Sequence, residues 1–228
     1  MHFPLPLDTP AEQLNAVQLK RLDLARAHTP AMHLVPSPAD CVLGSRARLH
    51  VLQVLEPTTV VTKAWEQVTA VGQRAYWEPR NVLVTGAGPI GLLAALIGKQ
   101  RGLDVHVLDR VQTGTKPELV RQLGATYHSG SVAEIGFEPD VIVECTGVGQ
   151  VIVDSLKAAS AGGIVCLTGV GSGGRTTGLP AADLASAMVL RNNVIVGSVN
   201  ANKRHWYKAG EALARADASW LSQLVTRR

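Results

Sequence analysis

Three glycines and one carboxylate carry the first chemistry in this chain. In "VLVTGAGPIGLLAALIGKQRGLDVHVLDR", residues 82–110, Gly86, Gly88 and Gly91 have the spacing GxGxxG. They follow an apolar strand pattern and open a helical one. Gly86 permits a tight turn, and Gly88 leaves room for a pyrophosphate to approach the backbone. Gly91 lets the helix lie close on the strand. Pro89 and Ile90 occupy the first helical turn, whose N–H groups and positive dipole end attract an anion. Asp109 ends the next strand pattern about 20 positions on, where a carboxylate accepts from a ribose hydroxyl. The triplet alone is also a common strand-to-helix turn. Strand, helix and carboxylate together favour a dinucleotide.

The neighbours of Asp109 bear on which dinucleotide. A carboxylate there favours the free 2′-hydroxyl of NAD and repels the 2′-phosphate of NADP. Arg110 follows it and Lys116 lies just beyond. A guanidinium at that place stacks on adenine or pairs with the phosphate, unless it is a solvent-facing strand end. NAD alone, or both NAD and NADP, is the expectation. In an open α/β sheet the ligand crosses the carboxyl ends of the strands. Those ends here include Cys145-Thr146-Gly147, the trio Thr168, Gly169 and Val170, and the trio Ser198, Val199 and Asn200. Asn200 suits a carboxamide, or a turn.

No catalytic acid or base is assigned. The seven histidines fall singly, without metal-ligand spacing; His106 sits in a strand pattern and His205 on a polar helix. There is no GxSxG elbow, and Ser172 has no base near it in sequence. Tyr127 and Tyr207 lack the lysine four residues on that a Tyr/Lys pair would need.

The elements that must position these residues alternate regularly. "NVLVTGA", "DVHVLDR", "TYHSG", "DVIVECTG", "GIVCLTGV" and "NVIVGSVN" read as strands with helical segments between them. Strands apolar on both faces mean a covered parallel sheet. The expected fold is α/β, a doubly wound (Rossmann) sheet of about six strands with helices on both faces. Residues 1–50 read as a Pro-rich lead-in and 51–79 as a connecting helix region. The domain proper then covers 80–228 with C-terminal helices. The connecting helix is expected from Pro57 to Val71, capped by Thr58 or Thr59.

Composition excludes several classes. At 228 residues, 46% hydrophobic and 18% charged, the chain is neither disordered nor a coiled coil. Its net charge of +4 is dispersed apart from Lys203-Arg204-His205 and Arg227-Arg228, which does not suit a nucleic-acid surface. Cys41, Cys145 and Cys166 form no CxxC pair; the last two read as buried thiols of a reducing compartment. With no span-length apolar run and no secretory signal, a cytoplasmic protein is expected.

The runs "LEPTTVVTKAWEQV", "VLVTGAGPIGLLAAL", "KPELVRQLGATY", "FEPDVIVECTGVG" and "VIVGSVNANKRHW" resemble the cofactor half of the glucose dehydrogenases. These belong to the zinc-dependent medium-chain dehydrogenase/reductase superfamily. The resemblance covers about residues 55–228. It implies NAD(P) at Gly88, Pro89, Ile90 and Gly91 for the phosphates and at Asp109 and Arg110 for the adenosine ribose. Thr168, Gly169, Val170, Ser198, Val199 and Asn200 would line the nicotinamide. Glu56 matches the acidic position near or on the catalytic zinc. Family members carry a cysteine and a "GHE"-type segment in an N-terminal domain, and this chain has neither. The expectation is therefore a stranded cofactor part of a glucose (aldose) dehydrogenase, a homo-oligomer with little or no turnover alone. A non-catalytic NAD(P)-binding module or split enzyme is the other reading, and a methyltransferase on a similar sheet a third.

Overall fold

The computed structural model describes residues 45–171 and 177–224, with side chains from residue 53 onward. The Pro-rich lead-in up to residue 44, Cys41, the Ser172 loop and Arg227-Arg228 lie outside the described residues.

Short runs of Val, Ile and Leu, closed off by Gly, Asp or Thr, form six strands. These are β1 (Asn81–Thr85), β2 (Asp104–Leu108), β3 (Thr126–His128), β4 (Val141–Glu144), β5 (Ile164–Leu167) and β6 (Val194–Gly197). Seven helices are described: α1 (Ser45–Gly72), α2 (Pro89–Gln100), α3 (Thr115–Gln122), α4 (Gly149–Ala158), α5 (Ala181–Arg191), α6 (Lys203–Ala214) and α7 (Ala218–Gln223). All strand pairs are parallel, in the order β3-β2-β1-β4-β5-β6. The chain reverses its direction of travel between β1 and β4, which places a crevice at the carboxyl ends of those two strands.

Strand alternation divides the interior in two. Val82, Val84, Val105, Val107, Val141, Val143 and Ile164 face one side, packed with residues of α1, α2 and α7. Leu83, Leu108, Ile142 and Val165 face the other, against the turn at Val132–Glu134 and α4. Both faces are covered over the central strands β1, β4 and β5, as their unbroken apolar runs require.

One boundary differs from expectation. α1 begins at Ser45, so residues 45–50 belong to a helix and not to the lead-in, and Pro57 lies inside it. Thr58 and Thr59 are consequently not caps. Their hydroxyls bond back to the carbonyls of Val54 (2.6 Å) and Glu56 (2.7 Å). Proline removes one helical hydrogen bond and crowds the preceding turn. Packing compensates: Val54 before it and Val61, Ala64, Trp65 and Val68 after it enter the same core. Trp65 is the anchor, its indole N–H donating to the Ala94 carbonyl of α2 at 3.1 Å with Arg101 lying 4.9 Å over its ring. Truncating such a side chain costs about 3–5 kcal/mol.

Candidate nucleotide site

The glycine loop is built by exclusion at one glycine and by space at another. Gly86 turns at φ +90°, where a side chain is strained, and donates to the Leu108 carbonyl at 2.7 Å. A Cβ on Gly91 would lie 1.7 Å from the Gly86 carbonyl oxygen, so no side chain fits there. Gly88 is the opposite case. It is extended, at φ −81° and ψ −179°, caps α2, and a Cβ on it would meet nothing within 4 Å. An open space therefore stands over the α2 N-terminus, opened by Pro89 with Ile90 packed against the core. The described residues thus fit a phosphate group there.

Asp109 is bonded to the glycine loop. One carboxylate oxygen accepts from the Ala87 N–H at 2.7 Å and from the Lys116 ammonium at 2.8 Å; the other accepts from the Val111 N–H at 3.1 Å. Burial pushes the Asp109 carboxyl up, but Lys116 and the two N–H donors outweigh it and hold the group below the usual carboxylate range. The site carboxylate is thereby tied to the glycine loop itself. Arg110 is exposed at the strand end, and Lys116 is the cation that meets the carboxylate.

The segments 168–170 and 198–200 follow the adjacent parallel strands β5 and β6. Thr168 donates its hydroxyl to the Glu144 carbonyl at 2.8 Å, and a Cβ on Gly169 would strike the Gly147 nitrogen at 2.2 Å. Val170 is 85% exposed. Ser198 is buried, its N–H on the Leu167 carbonyl at 2.9 Å and its hydroxyl without a hydrogen-bond partner among the described residues. Val199 is exposed, and Asn200 turns at φ +59°, a conformation Asn tolerates.

Glu144, which the sequence reading passed over, organises this end. Fully buried, its carboxylate accepts from the Thr85 hydroxyl at 3.3 Å, the Thr146 N–H at 2.7 Å and hydroxyl, and the Gly147 N–H at 3.1 Å. It joins the strand that enters the glycine loop to the turn beyond β4. The signal was an acidic residue inside the apolar run "DVIVE".

Other sequence candidates fall elsewhere. Glu56 is half-buried within α1, not at a helix start. No group of three or more His, Cys, Asp or Glu able to hold a metal occurs among the described residues. His106 pairs with His128 across β2 and β3, ring nitrogens 2.8 Å apart. The 5.0 Å between ring centroids shows that the nitrogens point nearly at each other, a geometry for a proton rather than a chelated metal. His205 is buried and bonds the Asn202 N–H that begins α6. Its neighbours Arg204 and Lys208 grip Glu66 at 2.5 Å each, and the Lys208 bond first among these contacts holds that carboxyl at about 2. The basic cluster is thus partly a helix clamp. Cys166 is buried and Cys145 half-buried.

Taken together, sheet order, crevice and glycine loop define a doubly wound Rossmann-type α/β domain. A family model described as "Glucose dehydrogenase C-terminus" matches residues 49–228, and the chain belongs to that family. It is 39% identical over 206 residues to glucose 1-dehydrogenase 2 of Vulcanisaeta moutnovskia, covering 88% of this chain and 57% of that protein. Glucose 1-dehydrogenase 1 of Caldivirga maquilingensis is 36% identical, over 88% and 56%. The glucose dehydrogenase of Haloferax mediterranei, solved in complex with NADP, zinc and gluconolactone, superposes with a TM-score of 0.68 at 26% identity, over 74% of this chain and 50% of that one. The chain spans little more than half the length of these relatives.

Proposed function

We propose that this chain is the NAD(P)-binding part of a glucose (aldose) 1-dehydrogenase-like oxidoreductase, in which hydride passes between a sugar C1 hydroxyl and a nicotinamide. The observation that carries the proposal is the unfilled space over Gly88 at the head of α2, in a chain of the glucose dehydrogenase family. When bound, the dinucleotide supplies the hydride acceptor. The N–H groups at the start of α2 and the Gly88 backbone bind the pyrophosphate. Asp109 accepts from the adenosine ribose, while Lys116 and Arg110 offer charge to a 2′-phosphate. Both NAD and NADP are therefore accommodated. Thr168, Gly169 and Val170, with Ser198, Val199 and Asn200, line the nicotinamide and exclude water from one face.

The described residues do not fit a zinc site. Polarising the sugar hydroxyl falls to groups beyond them, so binding is expected with little or no turnover by this chain. The edge strand β6, with Ile195 partly exposed, favours pairing with a second copy. No helix among the described residues is long and apolar enough to cross a membrane.

The test is a Trp-fluorescence titration with NAD, NADH and NADP, with and without zinc and glucose. Binding that ignores zinc and sugar is expected, with Asp109→Ala weakening NAD about tenfold relative to NADP. Absence of any nucleotide binding would overturn the proposal and leave the glycine loop as a structural turn. Zinc-dependent glucose oxidation would overturn the expectation of no turnover.

A further inference from the structure

Lys63 of α1 reaches the end of the sheet from outside it. Its ammonium donates to the Val199 carbonyl at 2.7 Å. Val199 lies between β6, whose exit is fixed by the Ser198 N–H on Leu167, and α6, whose start is fixed by Asn202 and His205. Both ends of the segment 198–202 are held by the domain; Lys63 holds its middle. Thr62, the preceding residue, donates its hydroxyl to the His205 carbonyl at 3.2 Å, so the same turn of α1 is seated against α6.

The consequence follows from peptide geometry. No described peptide bond is cis, and in a trans peptide the N–H points opposite to the C=O. With the Val199 carbonyl drawn to α1, the Asn200 N–H is presented away from α1, on the exposed side. Asn200 holds this orientation at φ +59°. Two residues earlier the Ser198 hydroxyl is buried with no hydrogen-bond partner among the described residues.

We propose that Lys63 is a positioning residue for the nicotinamide subsite: by clamping the Val199 carbonyl it orients the Asn200 N–H as a donor to the carboxamide. The assignment rests on the nucleotide reading above. Lys63 does not touch the ligand; it acts through one peptide plane. Its effect is confined to ligands that carry the nicotinamide ring.

That confinement gives the test. Lys63→Met and Lys63→Arg are compared with wild type for binding of NADH and NADPH, and of ADP-ribose and 2′-phospho-ADP-ribose, which lack the nicotinamide. Loss of one charge-assisted hydrogen bond predicts that Lys63→Met weakens NADH and NADPH about tenfold. The two ADP-ribose ligands should stay within about twofold, a difference of under about 0.5 kcal/mol. Lys63→Arg should recover most of the loss. An equal loss for all four ligands would mean that Lys63 merely holds the fold, and no loss for any would mean that the clamp is idle; either overturns the proposal. If wild type binds none of the four, the nucleotide reading falls and this one with it.

Discussion

The two halves of the sheet are finished to different degrees. Around the glycine loop the polar groups are already engaged: the Gly86 N–H on Leu108, and the Ala87 N–H and the Lys116 ammonium on Asp109. At the carboxyl ends of β5 and β6 Val170 and Val199 face solvent, and the buried Ser198 hydroxyl has no partner among the described residues. Apolar side chains and an orphan hydroxyl in one region mark a surface built to be covered. The first half is closed by its own hydrogen bonds; the second leaves apolar side chains in solvent.

The largest test of that contrast falls on the glycines. Gly91→Ala forces a Cβ into the Gly86 carbonyl, so α2 must move off β1. A loss of roughly 3 kcal/mol in urea unfolding is expected, with nucleotide binding lost alongside. Gly88→Ala is its counterpart, since the added methyl meets open space and the backbone is extended. Stability should change by less than about 0.5 kcal/mol while nucleotide affinity drops at least about tenfold. Were both variants equally unstable, the space over Gly88 would belong to the fold and not to a ligand.

Glu144→Gln probes the join between the halves. The amide keeps one acceptor oxygen for the Thr146 and Gly147 N–H donors, but its other end becomes an NH2 that faces the Gly147 N–H and the buried charge is lost. A cost of about 3 kcal/mol is expected from denaturation curves. Amides at the ends of both β1 and β4 should then lose hydrogen-exchange protection. Loss at one strand only would show that the carboxylate serves a single turn.

The smallest effect is one of pH. Burial, then the charge of His106, lowers the His128 pKa below its ordinary 6.5. A depressed histidine stays neutral in the fold while the unfolded chain takes up a proton. Its contribution is therefore intact above pH 6.5 and lost progressively as pH falls from there toward the folded-state value. Unfolding free energy measured between about pH 7 and 5 should slope less in His128→Gln than in wild type. Identical slopes would remove the imidazole pair from the acid response.

The sheet was legible because its central strands are buried on both faces, and that requirement writes itself as runs such as "NVLVT" and "DVIVE". The glycine loop was legible because turn, dipole and close packing each demand a residue at a fixed offset. The start of α1 was not. Pro57 is a strong local stop signal, and what overrides it is the burial of Val54 and Trp65 in a core assembled from distant strands. Glu144 and Lys63 were missed for a related reason. Glu144 left a local trace, an acid closing an apolar run, but its tie to Thr85 and that of Lys63 to Val199 join residues far apart in the chain, which no local spacing announces.

The order β3-β2-β1-β4-β5-β6 also sets a timetable for biosynthesis. β1 pairs first with β2, its near neighbour in sequence, and its other side must wait for β4. During that interval "VLVT" presents an open strand edge with apolar residues on both faces, the form most prone to join a neighbouring chain. Newly made copies are thus expected to be most vulnerable between the emergence of Leu108 and that of Val141. Slower growth temperatures or a holding chaperone should raise the soluble yield more than any change at the ligand site.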